Sequence, residues 1–399
     1  MNDQTSRPAS KLGLGSSWVA LTGLSAVFLF EMLDNSILNV ALPTLSRDLH
    51  ASSALLPWVT GAYSATFGVL MLPFGVLADR FGRRRVLLIG LTLLGLASLA
   101  TAFVTTVEQL VAVRALMGVA AAMTAPGSMA LAFRLFDEDR LRVKAITLLS
   151  TVGLVGLAVG PTIGGLVLAV APWQVLLLVN VPVAILALAG IHRGIPVDGP
   201  RAPAEPPSEG LWPLVTRPLV SSGLAFKAAA GLATAGLGYL VTLRLQLDWG
   251  WPPALAALGM LPQVIVLLAG GTFVSPFVDR VGLGRAAWMS AAAVVVGLAV
   301  YAGLGTFGYP WVALALMLVA AGLRVIGVVA ATNVLKGLPE SRTTLGAALT
   351  DTVTQLASAA GLAVAGTPVS ALGLTGVAAL LVTGGFLRST GRASGTPLP

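Results

Sequence analysis

The chain of 399 residues is 56% hydrophobic and only 10% charged, against roughly 25% charged in ordinary soluble domains, and its mean hydropathy is +0.90. Apolar sequence spread over the whole length excludes a soluble domain with a single anchor and implies a polytopic membrane protein. The net charge of +8 does not point to nucleic acid, because the basic residues sit in short loops between apolar runs rather than beside stacking aromatics on a polar face.

Apolar segments of about 20 residues, long enough to cross a roughly 30 Å hydrocarbon core as helices, number twelve. They run over approximately 18–43, 56–78, 86–105, 108–134, 143–170, 173–191, 218–245, 254–277, 285–306, 310–336, 343–366 and 369–387. Helices are expected because backbone groups in lipid must bond within their own segment, and barrel strands would be short and alternating. Of the 24 Lys and Arg, 19 fall in the N-terminus, the even-numbered loops and the C-terminus. By the positive-inside rule both termini are then cytoplasmic. No cleavable signal is expected, since the first span is too long and its acids interrupt the apolar run.

Span one contains "EMLDNSILNVALP". On a helix advancing about 100° per residue, Glu31, Asp34, Asn35 and Asn39 share one face, a polar stripe expected to look into a central cavity rather than lipid. Spans two and three are joined by "GVLADRFGRRR", where Arg83, Arg84 and Arg85 suffice to hold a loop in the cytoplasm. Asp79, at a helix C-terminus that disfavours acids, needs a further partner, with Arg134 or the start of span eleven as candidates. Span four carries Arg114 in "RALMGVAAA". Span five carries "GLVGLAVGPTIGG", in which Gly153, Gly156, Gly160 and Gly164 recur at helical spacing and offer a smooth packing face, while Pro161 bends the helix.

Between spans six and seven, seven prolines from Pro196 to Pro218 read as an extended, non-helical linker. It divides the chain into a six-helix unit over 1–191, a cytoplasmic linker over 192–217 and a second six-helix unit over 218–399. An internal echo at an offset of 200 supports that division: "GVLADRFGRRR" and "SPFVDRVGLGR" match Asp79 with Asp279, Arg80 with Arg280, Gly82 with Gly282, and Arg85 with Arg285. Two six-helix repeats around a central site is the architecture of a major group of secondary transporters.

Six ionisable residues lie well within spans: Glu31, Asp34 and Asp351 against Arg114, Lys227 and Arg324. A charge at membrane depth is costly unless paired or wet, so each is a functional candidate, with structural pairing as the competing account. Rising about 1.5 Å per residue, Asp34 lies roughly 24 Å from the cytoplasmic start of span one and Arg114 roughly 10 Å from the outer start of span four, which makes them level. Lys227 and Asp351, about 15 and 12 Å deep by the same rise, form a candidate second pair. Phe28, Phe30, Tyr63, Phe67 and Tyr239 are candidates to line an apolar cavity; with the acids, they favour hydrophobic substrates, cations among them.

These motifs resemble those of the major facilitator superfamily, and within it the drug:proton antiporters. "GVLADRFGRRR", with Gly75, Asp79, Arg80, Gly82 and Arg83, is similar to the superfamily signature between helices two and three. "RALMGVAAA" resembles its helix-four motif, with Met117 where glutamine is commoner, and "GLVGLAVGPTIGG" its helix-five antiporter motif. "LDNSILNVALP", "YLVTLRLQ", "GMLP" and "TDTVTQLASAAG" look like the fourteen-helix branch, although the linker here has no room for two extra helices. The resemblance implies an all-α twelve-helix major facilitator fold and a gating contact between the halves on the cytoplasmic side at Asp79. It implies a hinge at Gly156, Gly160, Pro161 and Gly164, and proton-driven export of drugs or antibiotics from a bacterial inner membrane by a monomer. One endogenous metabolite or self-made antibiotic is the alternative cargo, and a membrane enzyme or scaffold the alternative class. No nucleotide-binding G-x-x-x-x-G-K-[ST] loop occurs and no cysteine is present. The expected partners are a small molecule, protons and the bilayer, with no cofactor, metal or nucleic acid, and the driving force is a gradient.

Overall fold

The computed structural model describes residues 14–52, 54–136, 138–195, 210–339, 342–367 and 370–390. Among them there is no strand; apart from the short helix Leu211–Val215 and one 3-10 turn, the helices form twelve rods. In chain order these are α1 (Leu14–Asp48), α2 (Leu56–Phe81), α3 (Arg83–Ala100), α4 (Val107–Arg134), α5 (Asp139–Val170) and α6, in two pieces, Gln174–Leu178 and Asn180–Gly194. There follow α7 (Pro218–Leu243, continued by a wide turn to Asp248) and α8, in three pieces, Pro253–Leu258, Leu261–Ala269 and Gly271–Val281. The last four are α9 (Leu283–Leu304), α10 (Tyr309–Gly337), α11 (Thr343–Ala365) and α12 (Ser370–Thr390). Seven are long and apolar enough to cross a membrane as they stand, and α1 joins them as a bent pair, Trp18–Asp34 and Ser36–Asp48, at 40°. In α5, α8 and α12 the apolar stretches are shorter, and α11 is interrupted by the polar run "TDTVTQ".

Local chemistry fixes the ends. Proline stands in the first turn of α2, α7, α8 and α10, where its missing N–H removes no helical bond. At α4, Thr106 and Gln109 form a reciprocal capping box. After α2, Gly82 takes φ 101°, and its counterpart Gly282 after α8 takes φ 81°, each donating its N–H to the carbonyl four residues back. That conformation suits glycine alone among common residues. The sequence echo at an offset of 200 is therefore an echo in backbone conformation as well.

The bend of α1 has a local cause. Ser36 Oγ donates to both Met32 O and Leu33 O at 3.1 Å, and such back-bonding bends helices. The glycine face of α5 lies against this segment: a Cβ at Gly153 would meet Phe28 and Met32, at Gly156 Leu29, at Gly160 Ser36, and at Gly164 Ile37.

The first six and last six helices meet along α2 and α11 and between α5 and the first piece of α8. Gly366, ending α11, sits against Pro57, opening α2, and Gly165, near the end of α5, faces the backbone of Pro253 and Ala254. Gln246 Nε2, past α7, donates to Val40 O of α1 at 2.9 Å in a buried bond. The α5–α8 and α7–α1 contacts join the two groups at the end of the bundle opposite the start of α1 and the end of α12. The linker is not wholly extended. Leu211–Val215 is helical, because Pro213 falls in its first turn, and Leu214 is buried with Val220 and Val334. Residues 196–209, the rest of the proline-rich segment, lie outside the described residues.

Gly118 of α4 packs against α2 so closely that a Cβ there would overlap Tyr63 O and Thr66 Oγ1. Gly118→Ala is expected to destabilise by about 1–3 kcal/mol, the usual cost of overpacking. Gly303→Ala, with nothing within 4 Å and a helical backbone, should leave the melting temperature of the purified protein unchanged or slightly raised. Equal melting temperatures for both variants would contradict the packing.

Candidate functional site

Arg114 and Asp34 meet deep in the first six helices. Arg114 Nη1 bonds Asp34 Oδ2 at 2.6 Å, with side-chain exposures of 1% and 0%. Arg114 Nε donates to Val59 O at 3.1 Å, and its guanidinium lies 4.5 Å from the centre of the Tyr63 ring. Nη1 also approaches Met117 Sδ at 3.6 Å. Asn180 Nδ2 donates to Asp34 Oδ1 at 3.4 Å. One ion pair thus ties α1, α2, α4 and α6 together. Helical rise places Asp34 and Arg114 level, and they are in contact. Asn180 was not anticipated; its signal is the amide in "LVNVP" at the break in α6.

The polar stripe of α1 does not act as one surface. Asp34 points into the first helical group, away from the cavity, because the neighbouring helices supply it with a guanidinium and an amide. Asn39 and Ser36 line the central cavity. The side chain of Asn35 lies outside the described residues. Glu31 is buried and within electrostatic range of Asp351 on the opposite six helices. Tyr63 stands between these groups, within range of Asp34, Glu31 and Arg114, and its buried hydroxyl has no hydrogen-bond partner among the described residues.

Both helical groups contribute to a cavity of about 370 Å³. From the first come Met32, Ser36, Asn39, Thr60, Ser64 and Pro161, and from the second Lys227, Thr234, Thr242, Gln263, Thr354, Gln355 and Ser358. This corrects the expectation of an aromatic, acid-lined chamber. Hydroxyl and amide groups dominate the polar lining, and Lys227 is the charge on it. Phe28, Tyr63, Phe67 and Tyr239 are not on the wall. They fill space within each group, Tyr63 stacking edge-on to Phe67 at 5.9 Å and Phe28 covering Gly153. The Phe30 side chain lies outside the described residues. Lys227 and Asp351 are within electrostatic range but form no ion pair among the described residues. Asp351 is exposed.

At the loop after α2, Asp79 pairs with Arg83 Nε at 2.7 Å, one turn away, and Arg80 lies 5.5 Å from the Phe81 ring centre. The side chain of Arg134, the expected partner, lies outside the described residues. Gly75 faces Pro126 of α4 at 3.8 Å from where its Cβ would be. In the second loop Asp279 and Arg280 are exposed, and Leu283 occupies the position equivalent to Arg83. Gly156, Gly160 and Gly164 face α1, while Pro161 lies on the cavity wall, so the α5 motif joins the cavity to the bent helix.

Residues 24–362 match the model of the Major Facilitator Superfamily, and the chain belongs to that family. Among curated relatives, the methyl viologen resistance protein SmvA of Salmonella typhimurium is 38% identical over 179 residues, covering 45% of this chain and 36% of that protein. The puromycin resistance protein pur8 of Streptomyces alboniger is 42% identical over 181 residues, covering 45% and 36%. The chain thus spans little more than a third of these two relatives. The cephamycin export protein CmcT of Amycolatopsis lactamdurans is 28% identical over 432 residues, covering 90% of this chain and 87% of its own. A solved bacterial homolog of the human lysosomal transporter Spinster, inward-facing and unoccupied, shares the fold at a TM-score of 0.72 and 15% identity, covering 97% of this chain and 100% of its own.

Because the Asp34–Arg114 pair is fully buried, removing one partner leaves an uncompensated charge. Arg114→Ala is expected to destabilise by about 3–5 kcal/mol, while Asp34→Asn combined with Arg114→Gln should recover part of that loss. Thermal unfolding of the purified variants reads this directly, and wild-type stability in Arg114→Ala would contradict it.

Proposed function

We propose that the chain is a proton-coupled exporter of small organic molecules, working by alternating access in a bacterial inner membrane with both termini cytoplasmic. Family membership supports a transporter rather than an enzyme or scaffold, and relatives named for drug resistance and antibiotic export support efflux. The observation that carries the reading is the central cavity, built by both helical groups, with the α5–α8 contact joining them at one end and Glu31 and Asp351 within electrostatic range of each other across the two groups. Residues 1–191 and 218–399 rock against each other about the α2–α11 contact, with 192–217 as the tether. Closure toward the termini brings Asp79 and Arg80 toward the second group, and α5 hinges at Gly156, Gly160, Pro161 and Gly164.

The positions of the carboxylates support proton coupling. Motion of one group against the other changes the Glu31–Asp351 separation, and with it the free energy of charging either acid. Asp34, locked to Arg114, holds the frame that carries Glu31 and transmits the change through Tyr63. The preferred cargo is a hydrophobic molecule bearing several hydrogen-bonding groups. Hydroxyls and amides on the wall favour a second reading, export of one endogenous metabolite or antibiotic, because a site built to hydrogen-bond its ligand discriminates sharply.

Inverted vesicles with an imposed pH gradient test this across cationic, neutral and anionic compounds. Wild type should accumulate at least one compound in response to the gradient, and Glu31→Gln and Asp34→Asn should each abolish gradient-driven accumulation. Gradient-driven exchange that persists in both variants would refute proton coupling through these acids.

A further inference from the structure

A second cavity, of about 350 Å³, lies between α8, α9 and α10. It is separated from the central cavity by α8: Gln263, Val264 and Leu267 face the central one, whereas Val266 and Gly270 face this groove. The groove opens outward past Phe273 and Met289, which are 72% and 52% exposed, so in a bilayer it opens to lipid. Its wall is apolar apart from Ser290, whose hydroxyl is spent on Ala286 O at 2.6 Å, and Arg324.

Arg324 lies fifteen residues beyond Tyr309 and thirteen before Gly337, halfway along α10. Its stem passes the break in α8, where a Cβ on Gly270 would sit 3.7 Å from Arg324 Cγ. Its Nε is buried with no hydrogen-bond partner, and among the described residues no ion pair or hydrogen bond reaches the guanidinium. Either end of α10 lies roughly 20 Å away by helical rise, and a hydrocarbon core of about 30 Å centred on the helix puts both interfaces about 15 Å off, beyond the reach of the side chain. A permanently charged fork of donors at that depth calls for an anion. A phospholipid phosphate stays at the interface. A carboxylic acid on an alkyl chain, unlike a phosphodiester, can enter hydrocarbon in its neutral, protonated form, and it brings both parts of the complement, a head that bonds the Arg324 guanidinium and hydrocarbon for Val266, Phe273 and Phe277.

We propose that the α8–α9–α10 groove is a lateral binding site for a lipophilic carboxylate drawn from the bilayer, held by a charge-assisted pair with Arg324. The middle piece of α8, which divides this groove from the central cavity, has no buried residue, so an occupant here supplies packing that the helix otherwise lacks.

The test uses the full chain in lipid nanodiscs, photolabelled with a diazirine-bearing palmitic acid or the corresponding alcohol, with adducts mapped by mass spectrometry. The acid should label the segments around Phe273 and Met289 about tenfold more than the alcohol, the ratio that one charge-assisted hydrogen bond provides. Arg324→Gln should reduce acid labelling to the alcohol level, and Arg324→Lys should retain most of it. Ala293→Trp fills the groove while leaving Arg324 in place and should abolish labelling, which keeps the test decisive if Arg324→Gln does not fold. Equal labelling by acid and alcohol, undiminished labelling in folded Arg324→Gln, or undiminished labelling in Ala293→Trp would each overturn the proposal.

Discussion

A guanidinium enclosed by helices inside a membrane can persist only if its surroundings satisfy it, and the first six helices are arranged around that requirement. Arg114 takes a carboxylate from α1, a carbonyl from α2 and the face of the Tyr63 ring, while Asn180 of α6 secures the other carboxylate oxygen. In a medium where an unpaired charge is costly, separating α1 from α4 strands both charges, and the contacts from α2 and α6 couple those helices to the same pair. The same constraint turns Asp34 inward and leaves Ser36 and Asn39 for the cavity, with the 40° bend of α1 between its two roles.

The last six helices are built differently. Their loop conformation at Gly282 repeats that at Gly82, yet no counterpart of the Asp34–Arg114 pair is formed among the described residues. Lys227 lies on the central wall and Arg324 on a peripheral one, and α8 is broken into three pieces. The two groups repeat one loop conformation and differ in how their buried charges are met: the first pairs Asp34 with Arg114 internally, whereas Lys227 and Arg324 form no ion pair among the described residues.

Much of this was legible in the sequence for physical reasons. Apolar runs of membrane length and the loop arginines determine a helical bundle, and helical rise alone brings Asp34 level with Arg114. The glycines of α5 mark a close approach, which is to α1. The direction of side chains was less legible. A polar stripe on one helix does not say which neighbour will claim each member, so Asp34 was expected in the cavity that Asn39 faces. Aromatic residues are ambiguous in the same way: Tyr63, Phe67 and Tyr239 are as well suited to filling space within a helical group as to lining a chamber. The cavity's hydroxyls escaped notice because Ser and Thr are ordinary in membrane helices and carry no periodic signal. Asn180 gained its role from a partner 146 residues away, a relation that no local pattern carries.

The proposed alternating access requires the α5–α8 contact to open as the opposite face closes. The chain contains no cysteine, so paired spin labels can be placed without background at Val170, ending α5, and Leu255, in the first piece of α8, both exposed. A second pair on Arg80 and Lys336 reports the face that carries the termini. Electron–electron distance measurements in nanodiscs, made across a pH series with a transported compound present, should show the first pair lengthening as the second shortens. Distance distributions for both pairs that stay fixed across pH and substrate would contradict alternating access in this chain.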